Sequence, residues 1–210
     1  MGKRKREGEA VMSSIVVQEF MTLDGVIQGP GGADEDREGG FDRGGWQQDF
    51  DLGDTIYDWE SRTEGLLLGR KTYDIWSNAW AVWDENAPGF MGEFTRRYNR
   101  VPKYVASRTL TELGWKNSEL LGDDVPGAVQ ELREQPGGEI RVWGSANLIS
   151  TLAEHNLVDE YRLLVYPVVL GTGKKLFPDG FASTKLALVD SFAFESGVVK
   201  NIYRPVTARD

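Results

Sequence analysis

The stretch that decides the fold is residues 139–153, EIRVWGSANLISTLA. Its first part, Glu139–Trp143, is rich in β-branched and aromatic residues, which is typical of a short buried strand. Gly144-Ser145-Ala146-Asn147 interrupts it with small side chains, and Leu148, Ile149 and Leu152 follow at helical spacing. A strand that opens directly into a helix exposes backbone N–H groups and the positive helix end, which favours a bound phosphate. Because many such turns use small residues only to pack tightly, this motif alone leaves both interpretations open.

The composition excludes several classes of function. The 210 residues suit a single domain, with no cysteine and one histidine, so disulfides are excluded and we expect no metal site. A net charge of −9 argues against nucleic-acid binding. No apolar run reaches membrane-spanning length and no secretory signal precedes the domain, so we expect a cytoplasmic protein. The only histidine, His155, falls at a helix end and is interpreted as a helix cap.

The remaining chain alternates strands and helices. Strands are predicted at residues 14–21, 65–68, 103–107 and 161–169, and a final hairpin pairs residues 185–194 with 198–205. Helices are predicted at 54–62, from Arg70 onward, at 92–99 and at 124–133. Pro167 suggests that its strand lies at an edge or contains a bulge. This alternation predicts an α/β fold with a mostly parallel central sheet flanked by helices and a C-terminal antiparallel hairpin.

Three predicted strands end in residues that could hold a dinucleotide. They end in Gly69-Arg70-Lys71-Thr72, in Ser107-Arg108-Thr109 and in Gly144-Ser145-Ala146-Asn147-Leu148. Because ligands of open α/β sheets bind beyond the carboxyl ends of the strands, we expect these groups to meet at one edge. Cations at Arg70 and Arg108 would favour the 2′-phosphate of NADP over NAD. Lys103 and Lys116 are interpreted as surface charges.

The substrate is expected on the same edge. Asp24 follows the first strand and is the best-placed carboxylate for proton transfer or hydrogen bonding to a substrate heterocycle, or it could simply form a turn with Gly25. Residues 28–45, with seven glycines, predict a long polar loop. Trp76, Trp80 and Trp83 are spaced to share one helical face, for core packing or as a wall of the substrate crevice. We expect substrate contacts from Asp24, Gly25, Trp46 and Trp80.

Several motifs resemble the dihydrofolate-reductase-like proteins of the riboflavin-reductase (RibD C-terminal domain) group. The motifs are 68–73 (LGRKTY), 102–110 (PKYVASRTL), 115–117 (WKN), 143–148 (WGSANL), 157–160 (LVDE), 167–177 (PVVLGTGKKLF), 197–199 (GVV) and 203–205 (YRP). The resemblance covers about residues 13–206. It implies a dihydrofolate-reductase-like α/β fold, NADPH as hydride donor, and cofactor contacts at the three strand ends described above.

The resemblance also implies a class of reaction. It suggests reduction of a pterin-like or aminopyrimidine-like heterocycle, as by 5-amino-6-(5-phosphoribosylamino)uracil reductase, or of a related carbonyl or imine compound. A carboxylate on the first helix assists dihydrofolate reductases, and Asp42, Asp49, Asp51 and Asp54 all lie in that region. No deaminase zinc motif accompanies the domain. The alternative is a non-catalytic nucleotide-binding or ligand-sensing module on the same fold.

Two expectations concern the ends and the assembly of the chain. Residues 1–12 carry a like-charge run without apolar periodicity and are predicted to be a disordered tail before a single domain at 13–207. We also expect a homodimer, from the resemblance and because the apolar segment 161–170 would need cover if it lay near an edge.

Overall fold

The computed structural model describes residues 11–206. The strands are β1 (Ser14–Thr22), β2 (Thr63–Gly69), β3 (Lys103–Ala106), β4 (Ser118–Leu120), β5 (Glu139–Val142), β6 (Glu160–Tyr166), β7 (Leu186–Ala193) and β8 (Val199–Pro205). The helices are α1 (Thr55–Glu60), α2 (Arg70–Ser77), α3 (Phe90–Arg100), α4 (Val125–Arg133) and α5 (Ala146–Glu154). Within this part of the chain, no helix has the length and apolar character needed to cross a membrane.

The eight strands form one sheet in the order β4-β3-β2-β5-β1-β6-β8-β7. The first six strands of the chain pair in parallel, and β8 pairs antiparallel with both β6 and β7. The predicted α/β class with a parallel sheet and a C-terminal hairpin is therefore confirmed. Strand β4 was not predicted, because three residues with two exposed side chains carry almost no periodicity signal.

Helices cover both faces of the parallel part of the sheet. On one face α4 and α5 pack Val129, Ile149 and Leu152 against inward residues of the central strands, such as Val17 and Val142. On the other face α2 and α3 pack Tyr73, Phe94 and Tyr98 against Leu66, Leu68 and Val105. The near-continuous apolar runs of β1 and β2 follow from this two-sided burial.

A buried network of charges crosses the sheet beneath α1. Arg141 of β5 is fully buried and donates to Gln18, to the carbonyl oxygen of Trp59 and to Glu139. Glu60 of α1 is also fully buried and accepts hydrogen bonds from Gln18, Thr63 and Trp143. Arg162 of β6 extends the network through Glu139 and Glu160. These interactions tie α1 to three adjacent strands.

Two local predictions were wrong. Helix α2 ends at Ser77, so Trp80 and Trp83 follow in turns instead of sharing a helical face with Trp76; their rings nevertheless pack together. Lys103 is not a surface charge: it is fully buried, and its Nζ donates to the carbonyl oxygens of Tyr98 and Val101 at 2.6 and 2.8 Å. Burial lowers the pKa of Lys103 to about 8.

Strand β6 is not at an edge. It ends at Tyr166, before Pro167, and lies between β1 and β8, so its apolar residues are already covered by neighbouring strands. The edge argument for a homodimer therefore does not apply to this strand, and the homodimer stays a prediction. The free edges of the sheet are β4 and β7.

The segment 28–45 is more than a polar loop. Phe41, within this segment, is buried. A backbone hydrogen bond from Gly45 N to Gly29 O joins the two ends of the segment. Lys174 binds the segment from outside by ion pairs to Asp36 and Glu38, each of 2.6 Å. An ordered loop of this length is a feature of functional sites.

The predicted tail falls mainly on residues 1–10, which lie outside the described residues. Val11 and Met12 are described, and both contact the turn before β5: Gly137 N donates to Val11 O, and Met12 forms a bridge with Pro136. Two residues of the predicted tail, Val11 and Met12, are thus attached to the domain, and the domain boundary stays a prediction.

The buried network leads to a stability prediction. Arg141→Met should lower the free energy of unfolding by about 3–5 kcal/mol, because Glu139 loses a hydrogen-bond donor and the fully buried Glu60 loses a nearby positive charge. Arg204→Met is the matched control: Arg204 pairs with Glu160 but is 63% exposed, so its loss should cost at most about 1 kcal/mol. Urea denaturation of both variants measures the difference. Equal effects would show that the network does not stabilise the fold.

Candidate cofactor and substrate site

The turns after β2 and β5 are joined by direct hydrogen bonds. Gly69 N donates to Ser145 Oγ at 2.9 Å, and Ser145 N donates to Thr72 Oγ1 at 3.1 Å. Ser145 Oγ also lies 3.0 Å from Thr72 Oγ1 and 2.9 Å from the carbonyl oxygen of Trp143. The predicted meeting of Gly69-Arg70-Lys71-Thr72 with Gly144-Ser145-Ala146-Asn147 is thus present in the structure.

The junction leaves two helix ends open to a ligand. Among the described residues, neither the α2 N-cap, Gly69, nor the α5 N-cap, Ser145, makes a side-chain capping hydrogen bond, so first-turn N–H groups remain available for an anion. Gly144 has φ +53°, and a Cβ there would lie 2.7 Å from Thr72 Oγ1. The positive φ and the close approach of the Thr72 side chain together favour glycine at this position. The chemistry and shape of the junction fit a pyrophosphate.

The third predicted element lies beside this junction. Strand β3 pairs with β2 so that Ala106 is opposite Gly69, which places Ser107 and Arg108 just beyond the same edge. Ser107 Oγ accepts hydrogen bonds from Thr109 N and Leu110 N, which shapes a turn after the strand. Arg108 is exposed, and it forms no ion pair within residues 11–206.

The other cations of the site already have acidic partners. Arg70 pairs with Asp74 one helical turn away at 2.7 Å, and Lys71 pairs with Glu38 of the loop at 3.1 Å. Leu148 is buried in the core below α5, so only its backbone faces the turn, whereas Asn147 is exposed. Arg108 is therefore the most available cation of the predicted set.

Asp24 holds a turn together. Its carboxylate accepts hydrogen bonds from Thr22 Oγ1 at 2.7 Å, from Gly171 N at 2.7 Å and from Leu170 N at 3.2 Å. The hydrogen bond from Thr22, with those from Gly171 and Leu170, lowers the pKa of Asp24 to about 2. A carboxylate with that pKa is a poor proton donor near neutral pH, and these contacts favour the turn-forming interpretation.

The predicted substrate contacts are distributed over separate clusters. Trp46 is buried, donates from Nε1 to the carbonyl oxygen of Gln28 at 2.8 Å and packs edge-on against Tyr166. Trp80 packs on the other side against Trp83 and Tyr98. Gly25, at φ +87°, forms the turn with Thr22.

A shallow, open cavity of about 390 Å³ lies on the surface between the loop and α2. Its lining residues are Glu35, Asp36, Arg37, Glu38, Lys71, Asp74, Ile75 and Asn78. It adjoins the cofactor turns through Lys71, but Asp24, Gly25, Trp46 and Trp80 do not line it. The pocket next to the predicted cofactor edge is thus framed by the loop and α2; four of its eight lining residues are acidic, and three of these, Asp36, Glu38 and Asp74, form ion pairs.

Sequence reasoning missed two carboxyl groups near this edge. Glu19 on β1 is buried, and burial raises its pKa well above the usual range. Burial also raises the pKa of Glu35 in the loop, although Gly31 N and Gly32 N donate hydrogen bonds to it. The available signal was a pair of polar residues, Gln18 and Glu19, inside an otherwise apolar strand.

Comparison with known proteins identifies relatives of this arrangement. The model of the RibD C-terminal domain family matches residues 13–200. The uncharacterized protein YyaP of Bacillus subtilis (strain 168) is 34% identical over 190 residues, which cover 90% of this chain and 93% of YyaP.

Two solved structures share the fold. A Shewanella sp. PV-4 protein assigned to riboflavin biosynthesis has a TM-score of 0.69 at 21% identity, over 92% of this chain and 99% of that one. Dihydrofolate reductase from Enterococcus faecalis, complexed with NADP(H) and RAB-propyl, has a TM-score of 0.55 at 12% identity, over 92% and 97%. The dihydrofolate-reductase-like fold is thereby confirmed.

The contacts of Asp24 lead to a pH-dependent prediction. Its folded pKa is about 2, below the ordinary value of 3.8, so its stabilising effect is complete above about pH 4 and is lost as the pH falls towards 2. Asp24→Asn should therefore lower the melting temperature by a few degrees at pH 7, and the gap to the wild type should narrow between pH 4 and pH 2.

Thermal melts at several pH values test this, with Asp179→Asn at an exposed position as the control. A gap that stays constant down to pH 2 would contradict the assigned role of Asp24.

Proposed function

We propose that this chain, which belongs to the RibD C-terminal domain family, is an NADPH-dependent reductase of a small, flat heterocycle or a related carbonyl or imine compound. The observation that carries the proposal is the junction of Ser145 with Gly69 and Thr72, which brings two open helix ends to one place. The bound nicotinamide would supply the hydride. The protein would supply binding, orientation and exclusion of water.

The order of the strands supports an extended dinucleotide across the edge. The turns after β5 and β2 would hold the pyrophosphate, and β3 is the next strand outward. The adenosine half would then reach Ser107 and Arg108, where the free guanidinium suits a 2′-phosphate. Arg70 contributes less, because Asp74 already neutralises much of its charge.

The substrate class rests on the family and on the geometry of the pocket. The cavity beside α2 adjoins the cofactor edge and is large enough for a small ring system. An aminopyrimidine or pterin-like ring carries amino and amide N–H groups, and Glu35, which forms no ion pair within residues 11–206, is the lining acid available to bind them. This supports a reductase of the pterin or aminopyrimidine type.

One observation favours a non-catalytic module as the second candidate. Asp24, the acid at the predicted position, is committed to hydrogen bonds within a turn. Consumption of NADPH with members of a panel of pterins, aminopyrimidines, ketones and imines would support the enzyme. Cofactor binding without turnover across that panel would support the module.

The cofactor assignment is tested through Arg108. Arg108→Ala should weaken NADPH binding roughly 10- to 100-fold, because a charge-assisted contact contributes about 1.5–3 kcal/mol, and should leave NADH binding unchanged. Arg70→Ala should change either affinity by less than about threefold, since Asp74 already occupies the guanidinium. Fluorescence titration of both cofactors gives the dissociation constants.

Arg100→Ala provides the matched control, because Arg100 is an exposed arginine at the end of α3, before the amino end of β3. Its affinity for NADPH should equal that of the wild type. If Arg108→Ala lowers the affinity for NADPH and for NADH equally, Arg108 contacts the pyrophosphate and not the 2′-phosphate. If it weakens neither, the preference for NADP is wrong.

A further inference from the structure

Glu19 lies under the turn that would receive the cofactor. It sits on β1 opposite Leu163 of β6, and Val17, two residues earlier, is opposite Val142 of β5. Glu19 is therefore at the level of Gly144, the first residue of the β5–α5 turn. The side chain is on the same face as Val17, and only 3% of the residue is exposed.

The carboxyl group of Glu19 is incompletely bonded. Within residues 11–206 its Oε1 is buried and has no hydrogen-bond partner. Burial raises its pKa well above the usual range; the N–H of Gly144 opposes this effect and the carboxylate of Glu35 reinforces it. The raised pKa favours the protonated form, which can donate one hydrogen bond and accept another.

A buried polar atom without a partner destabilises a protein, and such atoms are rare in native structures. Ile15, Val17 and Met21, the neighbours of Glu19 along this face of β1, are apolar and pack into the core. An apolar residue would satisfy packing at position 19 as well. The unused hydrogen-bonding capacity points to a ligand.

The strand order indicates which part of the ligand reaches Glu19. The strands β3, β2, β5 and β1 are consecutive in the sheet, about 4.8 Å apart. With the adenosine half at β3 and the pyrophosphate at β2 and β5, the other nucleoside extends towards β1. The nicotinamide ring is the group at that end.

We propose that the side-chain carboxyl of Glu19 binds the carboxamide of the nicotinamide ring and so positions the hydride-carrying end of the cofactor. This inference rests on the proposed function. A neutral carboxyl and a primary carboxamide are complementary: the acid O–H donates to the amide oxygen, and the amide N–H donates to the unpartnered acid oxygen.

The test compares two substitutions and two cofactors. Glu19→Leu removes both hydrogen bonds, whereas Glu19→Gln keeps one donor and one acceptor in the same shape. Each protein is titrated by calorimetry with NADPH and with the reduced 3-acetylpyridine analogue of NADPH, which retains the ring carbonyl but lacks the amide N–H. Glu64→Gln, at an exposed position of β2, is the control.

We expect Glu19→Leu to weaken the binding of NADPH roughly 10- to 100-fold and the binding of the analogue by less than about tenfold. The difference arises because the analogue, which lacks the amide N–H, never makes the hydrogen bond to the acid oxygen. Glu19→Gln should bind NADPH within about threefold of the wild type. The melting temperature of Glu19→Leu should stay within a few degrees of that of the wild type, since removal of the unsatisfied oxygen offsets loss of the hydrogen bond from the N–H of Gly144. Glu19→Met serves as a second apolar variant if the leucine variant does not fold.

The outcomes separate the two proposals. If the wild type binds neither cofactor, the proposed function fails, and this inference fails with it. If the wild type binds NADPH and the apolar variants bind it equally well, only the role of Glu19 is overturned. The role of Glu19 is also overturned if the apolar variants lower the affinity for NADPH and for the analogue by the same factor, because that result would indicate a purely structural role.

Discussion

The hydrogen bonds between Ser145 and Thr72 connect two turns that are 73 residues apart in the sequence. Ser145 adopts a left-handed conformation, with φ 58°, that is unfavourable for a residue with a side chain. The contacts with Thr72 and Gly69 compensate for this strain, because they satisfy the backbone of both turns. Once the two turns are joined, the directions of α2 and α5 and the position of every group along the carboxyl edge of the sheet are determined.

The two ends of the sheet satisfy their polar groups in different ways. Beneath α1 Arg141 donates to Glu139 and to Gln18, and Gln18 donates in turn to the buried Glu60, so these charges are linked within the protein and only Nε of Arg141 has no partner in the described chain. At the carboxyl edge the helix ends lack side-chain caps and Glu19 keeps an unpartnered oxygen within the described chain. This contrast separates the part of the molecule that stabilises the fold from the part that is available for a ligand.

Much of this organisation could be predicted from the sequence, because local patterns determine it. Glycine turns after short apolar runs identified the junction of residues 69–72 with 144–147, and strand–helix alternation identified the parallel sheet. What failed depended on distant contacts. The periodicity of the three tryptophans could not reveal that α2 ends at Ser77, and nothing local distinguishes the buried Lys103 from a surface lysine. Glu19 was overlooked for the same reason, since burial of a charged side chain depends on strands that pair with it from elsewhere in the chain.

Strand β7 has consequences for how the molecule avoids aggregation. Seven of its eight residues are exposed, and Leu188, Val189 and Phe192 present apolar side chains to solvent at one end of the sheet. An open edge of this kind is a template on which a foreign strand can pair. The register shift between Leu188 and Asp190 interrupts regular pairing with β8, and such a bulge increases the local twist. A neighbouring molecule would thus find a bent edge with poorly matched hydrogen-bonding groups, and would have to bind through the apolar side chains on the faces of the strand.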